Sequence, residues 1–169
     1  EAFHGRTGYT LSLTNTDPIK TKFFPKFDWP RIDNPYLSFP LNDDVISNVK
    51  EKEKNAISQI KKALKNNPND IAGLIIEPIQ GEGGDNHFRS EFFKELKSLS
   101  IKHEFLLIYD EVQTGIGITG KMWAHEHFTA KPDIIAFGKK TQVCGMLAGE
   151  KIKEVENNVF TESSRINST

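Results

Sequence analysis

Phe105-Leu106-Leu107-Ile108-Tyr109 is an apolar run that passes directly into Asp110-Glu111-Val112-Gln113-Thr114-Gly115. Two other runs have the same build. Residues 71–76 lead into Glu77-Pro78-Ile79-Gln80-Gly81-Glu82-Gly83-Gly84, and residues 134–137 lead into Gly138-Lys139-Lys140. Short continuous apolar runs of this kind suit strands buried on both faces. Residues 90–102, between the first two runs, place Phe92, Phe93, Leu96 and Leu99 on one helical face. Residues 121–128 read as a short helix before the third run, and residues 146–148 are a candidate fourth strand. Apolar strands alternating with helices imply the α/β class, with a mostly parallel sheet covered by helices on both faces.

Upstream, residues 42–66 carry Val45, Ile46, Val49, Ala56, Ile57, Ile60, Ala63 and Leu64 at helical spacing among lysines and glutamates. This is an amphipathic helix that Asn42 or Asp43 can cap, ended by Asn66-Asn67-Pro68. Residues 1–40 are rich in Phe, Pro and Thr, with Pro25, Pro30, Pro35 and Pro40 breaking any long element. Short extended pieces and loops are expected there.

Composition sets outer bounds. The 169 residues are 37% hydrophobic and 27% charged, as in a globular protein with one core. A net charge of −1 gives no reason to expect a nucleic acid or an acidic membrane surface as partner. No apolar run approaches the roughly 20 residues of a membrane span. The one cysteine, Cys144, excludes an internal disulfide and fits a reducing compartment, the cytoplasm. The chain opens at Glu1 inside a motif and stops at Thr169 without a tapering tail, so a piece of a longer protein is expected.

Ligands of open α/β sheets bind beyond the carboxyl ends of the strands. The three strand exits here supply an acid, an acid with an amide, and a lysine. Pyridoxal phosphate needs such a set: a lysine amine to hold its aldehyde, and a carboxylate against its pyridine nitrogen. That lysine needs a depressed pKa, which burial beside the cofactor would supply. Each feature has a plainer reading by itself. A Lys-Lys pair after a strand is commonly solvated surface, an acid closing a strand is commonly a cap, and Gly81-Glu82-Gly83-Gly84 is an ordinary turn. Together and in this order they point to one site.

Four blocks carry a family resemblance: Phe3-His4-Gly5-Arg6-Thr7, Glu77-Pro78-Ile79-Gln80-Gly81-Glu82-Gly83, Asp110-Glu111-Val112-Gln113-Thr114-Gly115 and Asp133-Ile134-Ile135-Ala136-Phe137-Gly138-Lys139. They resemble the successive signatures of class III aminotransferases, whose fold is the large domain of type I pyridoxal-phosphate enzymes. By that resemblance residues 1–169 are the central part of the large domain. The N-terminal segment, the phosphate loop and the C-terminal small domain are absent from it, and the piece alone is expected to be inactive.

The resemblance implies roles residue by residue. Lys139 is similar to the lysine that carries the cofactor, with Lys140 the less fitting neighbour. Asp110 resembles the partner of the pyridine nitrogen, Gln113 the donor to the ring's phenolic oxygen, and Val112 and Phe3 the groups on the two ring faces. Arg6 resembles the arginine that takes a substrate carboxylate. Glu82 resembles a switch acid that pairs with a downstream arginine. Asn167 and Thr169 lie in a block that reaches the neighbouring subunit's cofactor, the threonine on its phosphate, which implies a homodimer with a shared active site.

Finer stretches resemble the lysine 6-aminotransferase branch, among them residues 5–16, 24–32, 138–145 and 165–169. That branch moves the terminal amine of L-lysine to 2-oxoglutarate, giving glutamate and a semialdehyde that cyclises. The 4-aminobutyrate branch is the nearest alternative; an aminomutase or a cofactor-less paralogue stands further off. His4 reads as packing beside Arg6, with a site histidine as the alternative, and Cys144 is read as buried near the cofactor without a chemical role. His125 and His127 flank Glu126, but no zinc-protease spacing is present and no metal is expected.

Overall fold

The computed structural model describes residues 1–157. Asn167 and Thr169 lie outside the described residues. In chain order the regular elements are α1 (Gly8–Leu13), α2 (Asp43–Asn66), β1 (Gly73–Ile76), β2 (Ile79–Gln80), β3 (Asn86–His87), α3 (Ser90–Lys102), β4 (Leu106–Asp110), β5 (Ile134–Phe137) and β6 (Gly145–Ala148). Short 3₁₀ turns stand at Pro18–Lys20, Ala124–His127, Lys139–Thr141 and Glu150–Glu154.

The main sheet has the order β1-β4-β5-β6. β4 runs parallel to both neighbours, with Tyr109 opposite Ile76 on one side and Ile135 on the other. This is the mostly parallel α/β sheet that the alternating runs imply. β6 departs from it by pairing antiparallel to β5, Phe137 opposite Gly145. Its connection explains this: only a short 3₁₀ turn separates the strands, and a parallel return needs a crossover of about a dozen residues or more.

α2 begins where the side chain of Asn42 accepts the amide of Val45 at 2.9 Å, with Asp43 and Asp44 at the positive end of the helix dipole. Its apolar stripe, Ala56, Ile57 and Ile60, meets Phe92, Phe93, Leu96 and Leu99 of α3, and both pack on Leu107 and Tyr109 of β4. Burying each large side chain stabilises the fold by about 1.5–3 kcal/mol. Phe93 sits at the centre, with ring contacts to Phe88, Tyr109 and Phe128. Leu106 and Ile108, pointing the other way, are only half-buried. Among the described residues, the two long helices therefore share one face of the sheet rather than covering both.

Three local expectations fail for definable reasons. α1 forms inside the region expected to lack helices, since the prolines start at Pro18 and a Thr7–Thr10 capping box starts the helix upstream of them. Residues 121–128 make only the turn Ala124–His127, because Trp123 stays extended. The glycine-rich turn at 81–84 links a small hairpin, β2 with β3, that was not expected.

Asp133, just before β5, ties three elements together. Its carboxylate accepts the Leu107 amide at 2.9 Å and the Lys97 ammonium at 2.8 Å, and Lys151 stands 3.7 Å away. Burial pushes this carboxyl up, but the Leu107 amide and Lys97 outweigh it and hold it below its ordinary value. Asp133→Ala in the intact protein is expected to cost about 2–4 kcal/mol, measured by denaturant unfolding, because it orphans a buried amide. A depressed carboxyl stabilises fully above its unfolded value of about 4 and loses that contribution as pH falls through the folded value. The advantage of wild type over Asp133→Asn should accordingly shrink below about pH 4.

Candidate active site

The parallel register brings three strand exits to one level. Asp110 closes β4 opposite Ala136 of β5, and the amide of Glu111 donates to the carbonyl of Ala136 at 2.8 Å. Glu77 follows Ile76, the partner of Tyr109, and so stands beside Asp110. Lys139 follows β5 after Gly138.

Phe3-His4-Gly5-Arg6 is laid across these exits and pinned from two sides. The buried carboxylate of Glu77 accepts the Phe3 amide at 2.8 Å and the Gly81 amide at 3.3 Å. The hydroxyl of Thr14, just past α1, accepts from the His4 amide at 3.0 Å and donates to the Gly5 carbonyl at 2.9 Å. Gly5 has φ +114°, and a Cβ there would lie 2.8 Å from the Thr10 hydroxyl, so only glycine fits this turn. Burial raises the pKa of Glu77, with the nearby Asp110 charge adding and the Phe3 amide and His4 opposing.

Asp110 is buried and has two partners. Its Oδ2 lies 2.7 Å from His4 Nδ1, and its Oδ1 accepts the Val112 amide at 3.1 Å. The His4 side chain is only 3% exposed. The sequence favours packing for His4 and leaves a site histidine as the alternative; the structure makes it the direct partner of Asp110. The signal available in the sequence was its place next to Phe3 in the block that crosses the strand exits.

Gln113 joins Asp110's strand to the lysines. Its side-chain oxygen accepts from Lys139 Nζ, and its backbone carbonyl accepts from Lys140 Nζ. With the oxygen so engaged, the amide nitrogen remains a donor. A Cβ on Gly81 would lie 2.5 Å from Gln113 Cγ, so the glycine makes room for this side chain. Lys139 holds φ +52°, a left-handed conformation uncommon for a side chain this long.

One expectation, the burial of Cys144, needs correction. Cys144 is exposed rather than buried, although its sulfur packs against Gly138. Lys139 is exposed in the chain by itself. Lys140 is also exposed; partial burial of its amine, and then the charge of Lys139, lower its pKa.

The remaining site residues fall around Phe3. The ring is half-buried, with the Arg6 guanidinium 6.0 Å and the Lys20 ammonium 5.5 Å from its centre. Arg6 is exposed, and no carboxylate pairs with it among the described residues. Glu82 pairs with Lys20, a residue the sequence reading did not single out. Val112 is half-buried beside Asp110.

Behind the site, Glu111 is 1% exposed and accepts four hydrogen bonds: Thr114 Oγ1 at 2.7 Å, the amides of Ala124 and His125 at 2.8 and 2.9 Å, and His125 Nδ1 at 3.0 Å. Burial pushes its carboxyl up, but these donors prevail and hold it below the usual range. His127 instead lies 3.0 Å from the Thr119 carbonyl.

This donor set fits pyridoxal phosphate. A buried carboxylate backed by a histidine suits a protonated ring nitrogen, an amide donor suits the ring oxygen, and the Lys139 amine reaches that amide at the same edge of the sheet.

Comparisons with known proteins agree with the geometry. The family model "Aminotransferase class-III" matches residues 1–165. An L-lysine-epsilon aminotransferase of Mycobacterium tuberculosis is 55% identical over 99% of this chain and 37% of its own length. A 4-aminobutyrate aminotransferase of Emericella nidulans is 42% identical over 87% of this chain and 30% of its own. A solved lysine aminotransferase from M. tuberculosis superposes with a TM-score of 0.91 at 55% identity, covering 99% of this chain and 38% of that one. The chain thus spans little more than a third of the length of these lysine aminotransferases.

Glu111→Ala in the intact protein should destabilise it by about 3 kcal/mol, since it strips a buried four-donor cluster of its acceptor. Hydrogen exchange at the Ala124 and His125 amides should speed up before that of the β4 amides. Unchanged exchange at both would remove Glu111 from this clamping role.

Proposed function

The chain belongs to the class III aminotransferases, and from that premise we propose that the protein moves the terminal amine of L-lysine to 2-oxoglutarate with pyridoxal phosphate as cofactor. Glutamate is the amino product, and the semialdehyde left behind cyclises. The meeting of Asp110, Gln113 and Lys139 at one sheet edge is the observation that carries the reading. Preference for lysine draws support from the 55% identical relatives against 42% for a 4-aminobutyrate enzyme.

When bound, pyridoxal phosphate supplies an aldehyde to receive an amine and a ring that takes up electron density as a substrate carbon loses its proton. Lys139 would hold the aldehyde, then carry a proton from the substrate's terminal carbon. Asp110, oriented by His4, would hold the ring nitrogen protonated. Gln113 would donate to the ring oxygen, and Val112 and Phe3 would take the two ring faces. Arg6, with its guanidinium unpaired by any described carboxylate, would fix the carboxylate remote from the reacting amine in both half-reactions. Glu82 would change partners between the cationic donor and the oxo acid. Asn167 and Thr169 would serve a neighbouring subunit's site in a homodimer.

We read residues 1–169 as the central part of the large domain, with the remaining cofactor cradle supplied elsewhere in the protein. A cytoplasmic setting fits the exposed free thiol of Cys144.

Lys139→Ala in the full-length enzyme is expected to lose the visible absorbance of bound cofactor and to lower turnover by more than about 10²-fold. Surviving turnover would reassign the lysine. Arg6→Ala should lower kcat/KM for lysine and for 2-oxoglutarate by about 10- to 100-fold each. An unchanged constant for lysine would remove Arg6 from the role. A donor screen with lysine, 4-aminobutyrate and ornithine separates the branches, and product formation without any oxo acid would mark an aminomutase.

A further inference from the structure

Tyr109, Asp110 and Glu111 continue the alternation of a strand, so the two acids turn to opposite sides. Asp110 meets His4, whereas Glu111 lies on the side of Tyr109, whose ring stands 6.1 Å from that of His125. Every polar atom of Glu111 is engaged there. Its amide donates to the Ala136 carbonyl at 2.8 Å, and its own carbonyl accepts the Gly115 amide at 2.8 Å. Its carboxylate takes the four donors of Thr114, Ala124 and His125. Trp123 wedges the same turn: a Cβ on Gly115 would lie 2.8 Å from its ring, which stands 5.9 Å from the ring of Phe137. Residues 110–115 are thus fastened to β5 on one side and to residues 123–125 behind them.

Three groups assigned to the cofactor ring, Asp110, Val112 and Gln113, sit on this one turn. Asp110 Oδ1 accepts the Val112 amide at 3.1 Å, which fixes the acid to its own turn but not the turn to the rest of the fold. Resting on the pyridoxal-phosphate reading above, we propose that Glu111 is a positioning residue: clamping the turn from the side away from the cofactor, its carboxylate fixes where Asp110 and Gln113 meet the ring. An ionised carboxylate accepts on both oxygens, whereas a protonated one spends an oxygen as a donor. Burial pushes this carboxyl up, but His125, Thr114 and Ala124 hold it below its ordinary range, so all four contacts persist at neutral pH. Placement matters because an error of about 1 Å can cost about 10²-fold in rate.

The test is made in the full-length enzyme. Glu111→Gln sets an amide donor among four donors and so displaces the turn without opening a cavity. It should raise the dissociation constant for pyridoxal phosphate about tenfold, move the absorbance maximum of bound cofactor and lower kcat about tenfold, with KM for L-lysine within about twofold of wild type. Thr114→Val and His125→Phe each remove one side-chain donor and should move affinity, absorbance and kcat the same way by smaller factors. In the cofactor-free enzyme, hydrogen exchange at the Val112 and Gly115 amides should quicken in Glu111→Gln. Asp133→Asn, which weakens the opposite end of the sheet, should leave cofactor affinity and absorbance at wild-type values. If Glu111→Gln does not fold, Thr114→Val and His125→Phe carry the same comparison. Cofactor affinity and absorbance that stay put in the folded variants, or that track lost stability equally in Asp133→Asn, overturn the inference alone. A wild-type enzyme that shows no absorbance of bound cofactor would sink the parent reading, and this inference with it.

Discussion

Parallel pairing of β4 with a neighbour on each side is the constraint from which the site follows. Because Tyr109 is level with both Ile76 and Ile135, the residues just beyond the three strands reach the same edge of the sheet. Glu77, Asp110 and Lys139 are far apart in sequence and reach one edge of the sheet only through this register. A one-residue slip of β4 would turn Tyr109 out of the core and Asp110 away from its histidine. The packing that forbids the slip is the α2–α3 apolar face against Leu107 and Tyr109. Core and chemistry are thus set by one alignment.

The buried acids at the two ends of the sheet are held by different partners. Glu111 and Asp133 are buried carboxylates kept ionised by several donors, and each acts as a clamp on backbone amides. Glu77 has fewer donors, and burial raises its pKa. It contacts the Phe3 amide, which makes it the anchor of the segment crossing the strand exits. Asp110 faces His4 instead. Removing any one acid would disturb a different link: the sheet, the loop behind the site, the crossing segment, or the contact with His4.

Much of this was legible in the residues. The periodicity of 42–66 and 90–102 gives α2 and α3 nearly to the residue, because both are long and their apolar stripes are regular. The strand β5 reads directly from Ile134-Ile135-Ala136-Phe137. Short elements were harder. α1 depends on a Thr–Thr cap that works against weak local helix preference, and β6 runs antiparallel for a reason of connection length rather than composition. At the site, the residue types at the three strand exits were readable as a set, whereas their partners were not. His4 against Asp110 and Lys20 against Glu82 depend on how residues 1–21 fold over the sheet, and no periodic pattern encodes that path.

The central claim is that Lys139, rather than the adjacent Lys140, holds the cofactor opposite Asp110. Both ammonium groups reach Gln113, one its side chain and the other its backbone, so proximity alone does not choose between them. Borohydride reduction of the full-length protein loaded with pyridoxal phosphate, followed by peptide mass mapping, chooses directly. The account predicts a single cofactor adduct on Lys139, and an adduct on Lys140, or on no lysine of this segment, would contradict it.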